Sequence, residues 1–436
     1  MRKNLVVGIL KEEKNHRERR APLTPSDVKW LVNREIDVEI ESNPDRVFAD
    51  DEYRKSGGKV LDRFNRASLL VGIKEPPTDK IQRDKVYMIF SHTIKGQPHN
   101  MPLLKRFVEN DVTLIDYEKI VDTHGRRVVS FGRIAGICGV VDSLFYLGKK
   151  LKWKGIDNPF TSLKPSWKYR SLERLKQDME KIGRIIQDKG FDSRLAPFII
   201  GITGHGNVSK GVQEALESLS PVEIHPRDIS NFIRYRKYAR NEIYKIVFLR
   251  EEKFRARNEK GFYFEEYIEH PDSFESNLDG YLAHLNMLIH ASYWDGRYPR
   301  MVTKAMIKKL YRNKDFRLEF IGDISCDVNG SIEITHKTTT QDNPIFTYDP
   351  EKDTYADGYE FDGITVLAID NLPAELPEDS SGYFSTLIRD YVYQIAVHGV
   401  KDITKHVAIP RELRQAVIAE EGKLAESYQY LKKHIT

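Results

Sequence analysis

Apolar residues along the chain fall into short continuous runs, separated by stretches in which they recur at helical spacing. The runs at 5–10, 38–40, 69–74, 86–90 and 112–115 have the uninterrupted apolar character of strands buried on both faces. Between the first two, Pro22-Leu23-Thr24-Pro25-Ser26 predicts a helix start. Thr24 can cap it, Pro25 suits the first helical position, and Val28, Leu31 and Val32 supply an apolar face. Strands alternating with helical segments predict an α/β unit with a parallel sheet over the first ~140 residues.

The pattern changes at 150–195. Lys, Arg, Trp and Pro dominate its first part, and then Leu172, Leu175, Met179, Ile182 and Ile186 form the stripe of an amphipathic helix leading into a second domain. That domain opens on residues 198–203, an apolar run, followed at once by Gly204-His205-Gly206 and a helical pattern through Val208, Val212, Ala215 and Leu216. In a strand–glycine turn–helix unit the first glycine permits the tight turn. The second lets the backbone approach a pyrophosphate, which rests on the free N–H groups of the helix N-terminus. Ser209 stands where the third glycine of the usual fingerprint falls, with Gly211 two residues on, and an ordinary βα turn is the alternative to a nucleotide site. Residues 222–225 are read as the next strand, and 287–291, 318–321 and 365–370 as later ones. Residues 230–278 show no clean period, and the tail from Ser385 is read as mostly helical, returning to the first domain.

Composition narrows the class without naming a function. With 436 residues, 40% hydrophobic and 31% charged, the chain has room for two or three globular domains. A net charge of +4 argues against nucleic acid as a partner, and the basic 164–176 segment reads as a solvated helix face. Cys138 and Cys326 lie far apart without CxxC or His-rich neighbourhoods, so neither a disulfide framework nor a metal site is expected. No apolar run approaches membrane-spanning length and no signal-peptide pattern follows Met1, so the expected location is cytoplasmic.

Candidate chemistry sits at strand ends, where ligands of open parallel sheets bind. Lys74 follows one apolar run and His92 another. Singly, each reads as an ordinary strand-end residue. If the two strands are neighbours, a lysine able to serve as a base and a histidine titrating near neutrality converge on one edge. Arg19-Arg20 and Arg126-Arg127 are paired arginines beside element ends; guanidinium forks bind carboxylates, but taken alone the pairs read as a solvated basic face. Ser325 and Asp327 follow a strand, where Asp327 could orient a cationic nitrogen or simply close a turn.

Together, Arg20-Ala-Pro-Leu-Thr-Pro25, Gly72-Ile-Lys-Glu-Pro76, Phe90-Ser-His-Thr93 and Gly125-Arg-Arg-Val-Val-Ser-Phe-Gly132 resemble the N-terminal domain shared by alanine dehydrogenase, the transhydrogenase NAD-binding subunit and lysine-forming saccharopine dehydrogenases. Gly204-His-Gly-Asn-Val-Ser-Lys-Gly211, Ile321-Gly-Asp-Ile-Ser-Cys-Asp327, Gly330-Ser-Ile-Glu333 and Ile369-Asp-Asn-Leu-Pro373 resemble the lysine–ketoglutarate reductase half of aminoadipate-semialdehyde synthase. The likeness runs over nearly the whole chain and is weakest in 150–195 and 230–285.

The resemblance implies an α/β protein with two Rossmann-like domains, parallel sheets and an interdomain active-site cleft. The first domain would be 1–150 completed by 365–436, and the dinucleotide-binding domain 190–345. It implies reductive condensation of L-lysine with 2-oxoglutarate to saccharopine, with a separate saccharopine oxidase as a conceivable partner. Lys74 would be the base and His92 the acid–base group, with Glu75 tuning Lys74. Arg20, Arg127 and Phe131 would hold the substrate, and Ser325, Cys326 and Asp327 would line its cleft. Arg126, Gly204, His205, Gly206, Asn207, Val208, Tyr293, Ile369, Asp370, Asn371 and Leu372 would contact the dinucleotide. The second strand lacks a terminal acid for the ribose 2′-OH and has Arg227 beside its end, which favours NADP(H) over NAD(H). Two other readings stay open: an alanine dehydrogenase-like oxidoreductase, and a non-catalytic nucleotide-binding relative.

Overall fold

The computed structural model describes residues 5–258, 261–399 and 403–435. The chain forms two compact units, Met1–Phe131 with Pro377–Thr436, and Gly132–Leu376.

The first unit is built on an eight-stranded sheet. Its strands are β1 (Val7–Ile9), β2 (Val38–Glu41), β3 (Lys59–Leu61), β4 (Leu69–Val71), β5 (Val86–Ile89) and β6 (Thr113–Asp116), with β17 (Val417–Glu420) and β18 (Lys423–Leu424) from the chain's end. The order is β18-β17-β6-β5-β4-β1-β2-β3, parallel except where β17 runs against β6 and β18. Alternation of side chains divides each strand between two cores. Val86 and Met88 join Leu69, Val71 and Val28 on one face, while Tyr87 and Ile89 join Leu70, Leu104 and Phe107 on the other. The Pro25–Val32 helix starts as expected, with the Thr24 hydroxyl accepting from the Asp27 amide. The Pro377–His398 helix closes the first core with Phe384, Ile388, Val392 and Ile395.

The second unit holds the other large sheet. Its strands are β7 (Phe198–Thr203), β8 (Val222–Glu223), β9 (Ile243–Phe248), β12 (Met287–His290), β13 (Phe320–Asp323), β14 (Ile345–Asp349), β15 (Thr354–Asp357) and β16 (Ile364–Leu367). A two-stranded ribbon, β10 (Phe254–Ala256) with β11 (Phe274–Ser276), stands apart. The large sheet runs β15-β14-β16-β13-β12-β7-β9-β8, parallel from β16 to β8 and antiparallel at β14 and β15. The Leu172–Lys189 helix has the bounds its stripe predicts and buries Leu175, Met179, Ile182 and Ile186, ending on Gly190 at φ 69°.

Two glycines join the Gly132–Trp153 and Asn207–Glu217 helices at close range. A Cβ on Gly136 would stand 2.0 Å from the Val208 carbonyl oxygen, and one on Gly211 2.0 Å from that of Arg133. Gly211 thus serves a helix–helix contact, a use the fingerprint reading does not contain.

Several expectations need correction. The Gly132–Trp153 helix belongs to the second unit because it packs on the Asn207–Glu217 helix, so the first segment stops short of 150. Strand β16 lies between β13 and β14, so the return to the first unit starts at Pro377 and not at 365. The tail is mostly helical, as expected, but it also carries β17 and β18, which add an edge to the first sheet. Both sheets are mostly parallel, as expected, with antiparallel pairing only at β14, β15, β17 and β18. The aperiodic 230–278 region hides β9, which pairs with β7 along its whole length, whereas β8 pairs only with β9. The strand beside the glycine turn is therefore β9, and Arg227 lies off the end of the outermost strand.

Candidate active site

Strands β4 and β5 are hydrogen-bonded neighbours in parallel register, Leu69 with Val86 through Val71 with Met88. Their continuations bring Lys74, Glu75 and His92 to the same end of the first sheet. Glu75 Oε2 is 3.0 Å from His92 Nδ1, and its Oε1 is bonded to Lys14 Nζ. Burial alone would raise the Glu75 pKa, but the bonds from His92 and Lys14 outweigh it and bring it to about 2. An ionised carboxylate can only accept, so the imidazole carries its proton on Nδ1 and leaves Nε2 for exchange. His92 is held at φ 51°, the left-handed region, with its carbonyl accepting from Asn100 Nδ2 at 2.9 Å. Strained backbone of this kind is typical of functional positions.

Lys74 is half-buried, and its backbone is clamped by a residue that sequence reasoning missed. Glu12 accepts from the amides of Ile73 at 2.6 Å and Lys74 at 3.0 Å. Burial, with the Glu18 charge adding to it, raises the Glu12 pKa to about 7. Asp116, at the end of β6, is also buried and pushed up to about 6; it accepts from the Ser91 amide at 3.2 Å and from the Ser91 hydroxyl.

The three arginines are placed around this end, each on a carboxylate of its own chain. Arg20 is buried and forks onto Glu18, Nε to Oε1 at 2.7 Å and Nη2 to Oε2 at 2.6 Å. Its guanidinium lies 4.2 Å from the centroid of Phe131, which stacks on Phe384 at 4.5 Å. Arg127 pairs with Glu118 at 2.6 Å and Arg126 with Asp122 at 2.7 Å, both in the open. Lys14, Glu12, Glu18 and Glu118 left no periodic signal, since charged residues are read as solvated by default.

In the second unit, the predicted contacts share one sheet edge. Gly204 follows β7, Tyr293 follows β12, Ser325-Cys326-Asp327 follow β13, and Ile369 to Leu372 follow β16, all beyond the carboxyl ends of parallel strands. Gly204 has φ 93°, and a Cβ there would stand 2.7 Å from both the Ala291 carbonyl oxygen and Ser292 Oγ. A Cβ on Gly206 would meet nothing within 4 Å. Gly206 heads the Asn207–Glu217 helix without a side-chain cap, and His205, Gly206 and Asn207 are exposed. An open backbone cradle at an uncapped eleven-residue helix fits the diphosphate of a dinucleotide.

Behind the turn lies a polar layer in which Lys253, Ser292 and Thr335 are the members the sequence reading did not name. Lys253 Nζ is buried and donates to Ser292 Oγ at 2.8 Å, and burial draws its pKa down to about 8. Ser325 Oγ donates to the Ser292 carbonyl at 2.8 Å. Asp323 is buried, accepts from Thr335 Oγ1 at 2.7 Å and from the Cys326 amide at 3.1 Å, and is raised to about 7 by burial. Cys326 is a free thiol whose pKa burial pushes up, and Asp327 is exposed. Tyr293 is 77% exposed, and Arg227, 78% exposed, has among the described residues only Asp228 within ion-pair reach, at 4.0 Å.

A glycine turn on one parallel sheet and adjacent Lys and His strand ends on another are features of nicotinamide-nucleotide-binding dehydrogenases. The chain belongs to the alanine dehydrogenase/PNT family, matching its N-terminal domain over residues 8–138 and its C-terminal domain over 243–427. It is 32% identical to the mitochondrial alpha-aminoadipic semialdehyde synthase of Bos taurus, over 98% of this chain and 48% of that protein. The chain thus spans about half the length of that relative. It is 26% identical to the saccharopine dehydrogenase [NAD(+), L-lysine-forming] of Emericella nidulans, over 88% of this chain and 91% of that one. A solved L-alanine dehydrogenase shares the fold, with a TM-score of 0.63 at 18% identity over 99% of this chain and 100% of that chain. Among the described residues no helix is long and apolar enough to cross a membrane.

Proposed function

We propose that this chain is a lysine–ketoglutarate reductase, joining the ε-amine of L-lysine to the ketone carbon of 2-oxoglutarate and reducing the imine to saccharopine. The observation that carries the reading is the convergence of Lys74 and His92 at the ends of paired strands, with Glu75 bonded to His92. Relatives named for the two ends of this chemistry support it.

Lys74 takes the proton from the lysine ε-ammonium, freeing the nitrogen lone pair to attack the ketone. His92, with Nδ1–H on Glu75, delivers a proton from Nε2 to the carbinolamine hydroxyl, which leaves as water. The nicotinamide cofactor, when bound, supplies the hydride that the imine carbon accepts. Arg127 is exposed enough to exchange its Glu118 partner for a substrate carboxylate, while Arg20 is fixed in place by Glu18 and Phe131. In the second unit the Gly204–Val208 turn takes the diphosphate, while Ser325, Cys326 and Asp327 border the substrate and Tyr293 and Ile369 to Leu372 the nucleotide. A cytoplasmic location is part of this reading, against the mitochondrial name of the cattle relative, and cell fractionation decides it.

The test is nicotinamide absorbance with lysine and 2-oxoglutarate supplied together and singly. Oxidation that needs both establishes the reaction. Turnover with pyruvate and ammonia instead moves the chain to the alanine dehydrogenase chemistry. Nucleotide binding without any turnover leaves a binding protein.

A further inference from the structure

We propose that Arg250, stacked on Phe264, is the residue that recognises a 2′-phosphate on the adenosine ribose, so that the bound dinucleotide is NADP(H). This rests on the reading of the second unit as a dinucleotide site and assigns its ribose end.

Topology selects the position. In a parallel dinucleotide-binding sheet, the residue facing the ribose 2′ position comes from the end of the strand beside the first one. Here that strand is β9, paired from Phe198 with Ile243 to Thr203 with Phe248. The Gly204 amide donates to the Phe248 carbonyl at 3.2 Å, so the chain leaving β9 starts against the glycine turn. It runs Leu249-Arg250-Glu251-Glu252, and no acid stands at its first two positions. Glu252 is committed elsewhere, since its Oε2 accepts from the Leu249 amide at 2.6 Å.

Arg250 is prepared for an anion. Its guanidinium lies 4.6 Å from the Phe264 centroid and 5.8 Å from that of Tyr267, and it makes no ion pair among the described residues. Stacking on a ring fixes the plane of the fork and leaves its edge N–H groups for phosphate oxygens. The Lys253 ammonium lies close enough for the two cations to repel, which favours an added dianion. Phe264 is 47% exposed on the excursion that follows β9, which gives that excursion a use.

The test compares adenosine 2′,5′-bisphosphate with adenosine 5′-monophosphate, which differ only in the 2′-phosphate, by equilibrium titration of the full chain. The bisphosphate should bind at least roughly tenfold more tightly, as one charge-assisted fork provides. Arg250→Gln should abolish that advantage and leave monophosphate binding intact, Arg250→Lys should keep part of it, and Arg227→Gln should change nothing. Equal binding of the two by the wild-type chain, or an advantage that survives Arg250→Gln, overturns the assignment. Loss of monophosphate binding when Glu251→Gln is made, in a chain indifferent to the 2′-phosphate, would assign the position to an NAD-type acid. Turnover without 2′-phosphate discrimination leaves the proposed reaction standing and removes Arg250; failure to bind either nucleotide removes both.

Discussion

Glu75 and His92 lie 3.0 Å apart, carboxylate oxygen to imidazole Nδ1, and the carboxylate's other oxygen holds Lys14. One acidic side chain thereby ties the end of β5 to the polar segment that follows β1. It also fixes which imidazole nitrogen can exchange a proton.

Replacing Glu75 should therefore affect both chemistry and stability. Its pKa is depressed, so its stabilising contribution is complete above about pH 4.5 and is lost as pH falls through about 2. Glu75→Gln should cost on the order of 1–3 kcal/mol near neutral pH, with a gap from wild type that narrows on acidification. Thermal unfolding from neutral to acid pH measures this. An equal loss at every pH would mean that the charge is not what matters.

Lys74→Met and His92→Gln should each reduce kcat by roughly a hundredfold to ten-thousandfold, the range of general acid–base groups. Nucleotide affinity should stay within a few-fold, because the glycine turn belongs to the other unit. Steady-state rates with a parallel nucleotide titration separate the two. Retained turnover in either variant would strip that residue of its role.

The glycines of the second unit should divide by function. Gly211→Ala forces a Cβ to 2.0 Å from the Arg133 carbonyl and should destabilise by about 1–3 kcal/mol or more, as overpacked contacts do. Gly206→Ala meets no atom within 4 Å and should leave the melting temperature nearly unchanged while weakening nucleotide binding. Calorimetry and titration on the pair test this, and equal melting losses would refute it.

Asp323 gives a pH signature of opposite sign. Burial raises its folded pKa to about 7, so its contribution is complete below the unfolded value near 4 and declines as pH rises through about 7. Asp323→Asn keeps the Cys326 and Thr335 contacts feasible and should flatten the stability loss across that window by up to about 1 kcal/mol per pH unit. Denaturant midpoints at several pH values check it. Glu12 and Asp116 are shifted in the same direction and leave a residual slope.

What the sequence disclosed and what it hid follow from the same physics. Runs such as 69–74 and 198–203 are apolar because both faces of their strands are covered, so the strands, the glycine turn and the Lys74–His92 edge could be read directly. Strand β9 was hidden because Lys245 interrupts its apolar run and polar segments flank it; its ammonium reaches Glu223 at 3.1 Å, on the outermost strand β8. Without β9, the strand read as neighbour to the glycine turn is β8 and the ribose position falls beside Arg227; with β9 in place, the proposed position moves to Arg250. Glu12 and Glu18 were invisible for a different reason, because a buried carboxylate is recognised only by partners distant in sequence, such as the Ile73 amide, or by a fold that closes over it.

The interrupted first unit has a consequence for synthesis. Its core is completed by Phe384, Ile388 and Val392, and its sheet by Val417 to Glu420, all of which leave the ribosome after the whole of Gly132–Leu376. The nucleotide-binding unit can mature while its host is still half-made. The strands that carry Lys74 and His92 must wait, with one hydrophobic face uncovered, for the last residues to arrive. Chains truncated just before Pro377 and released from the ribosome should already resist protease across the inserted unit and remain open to it across the first.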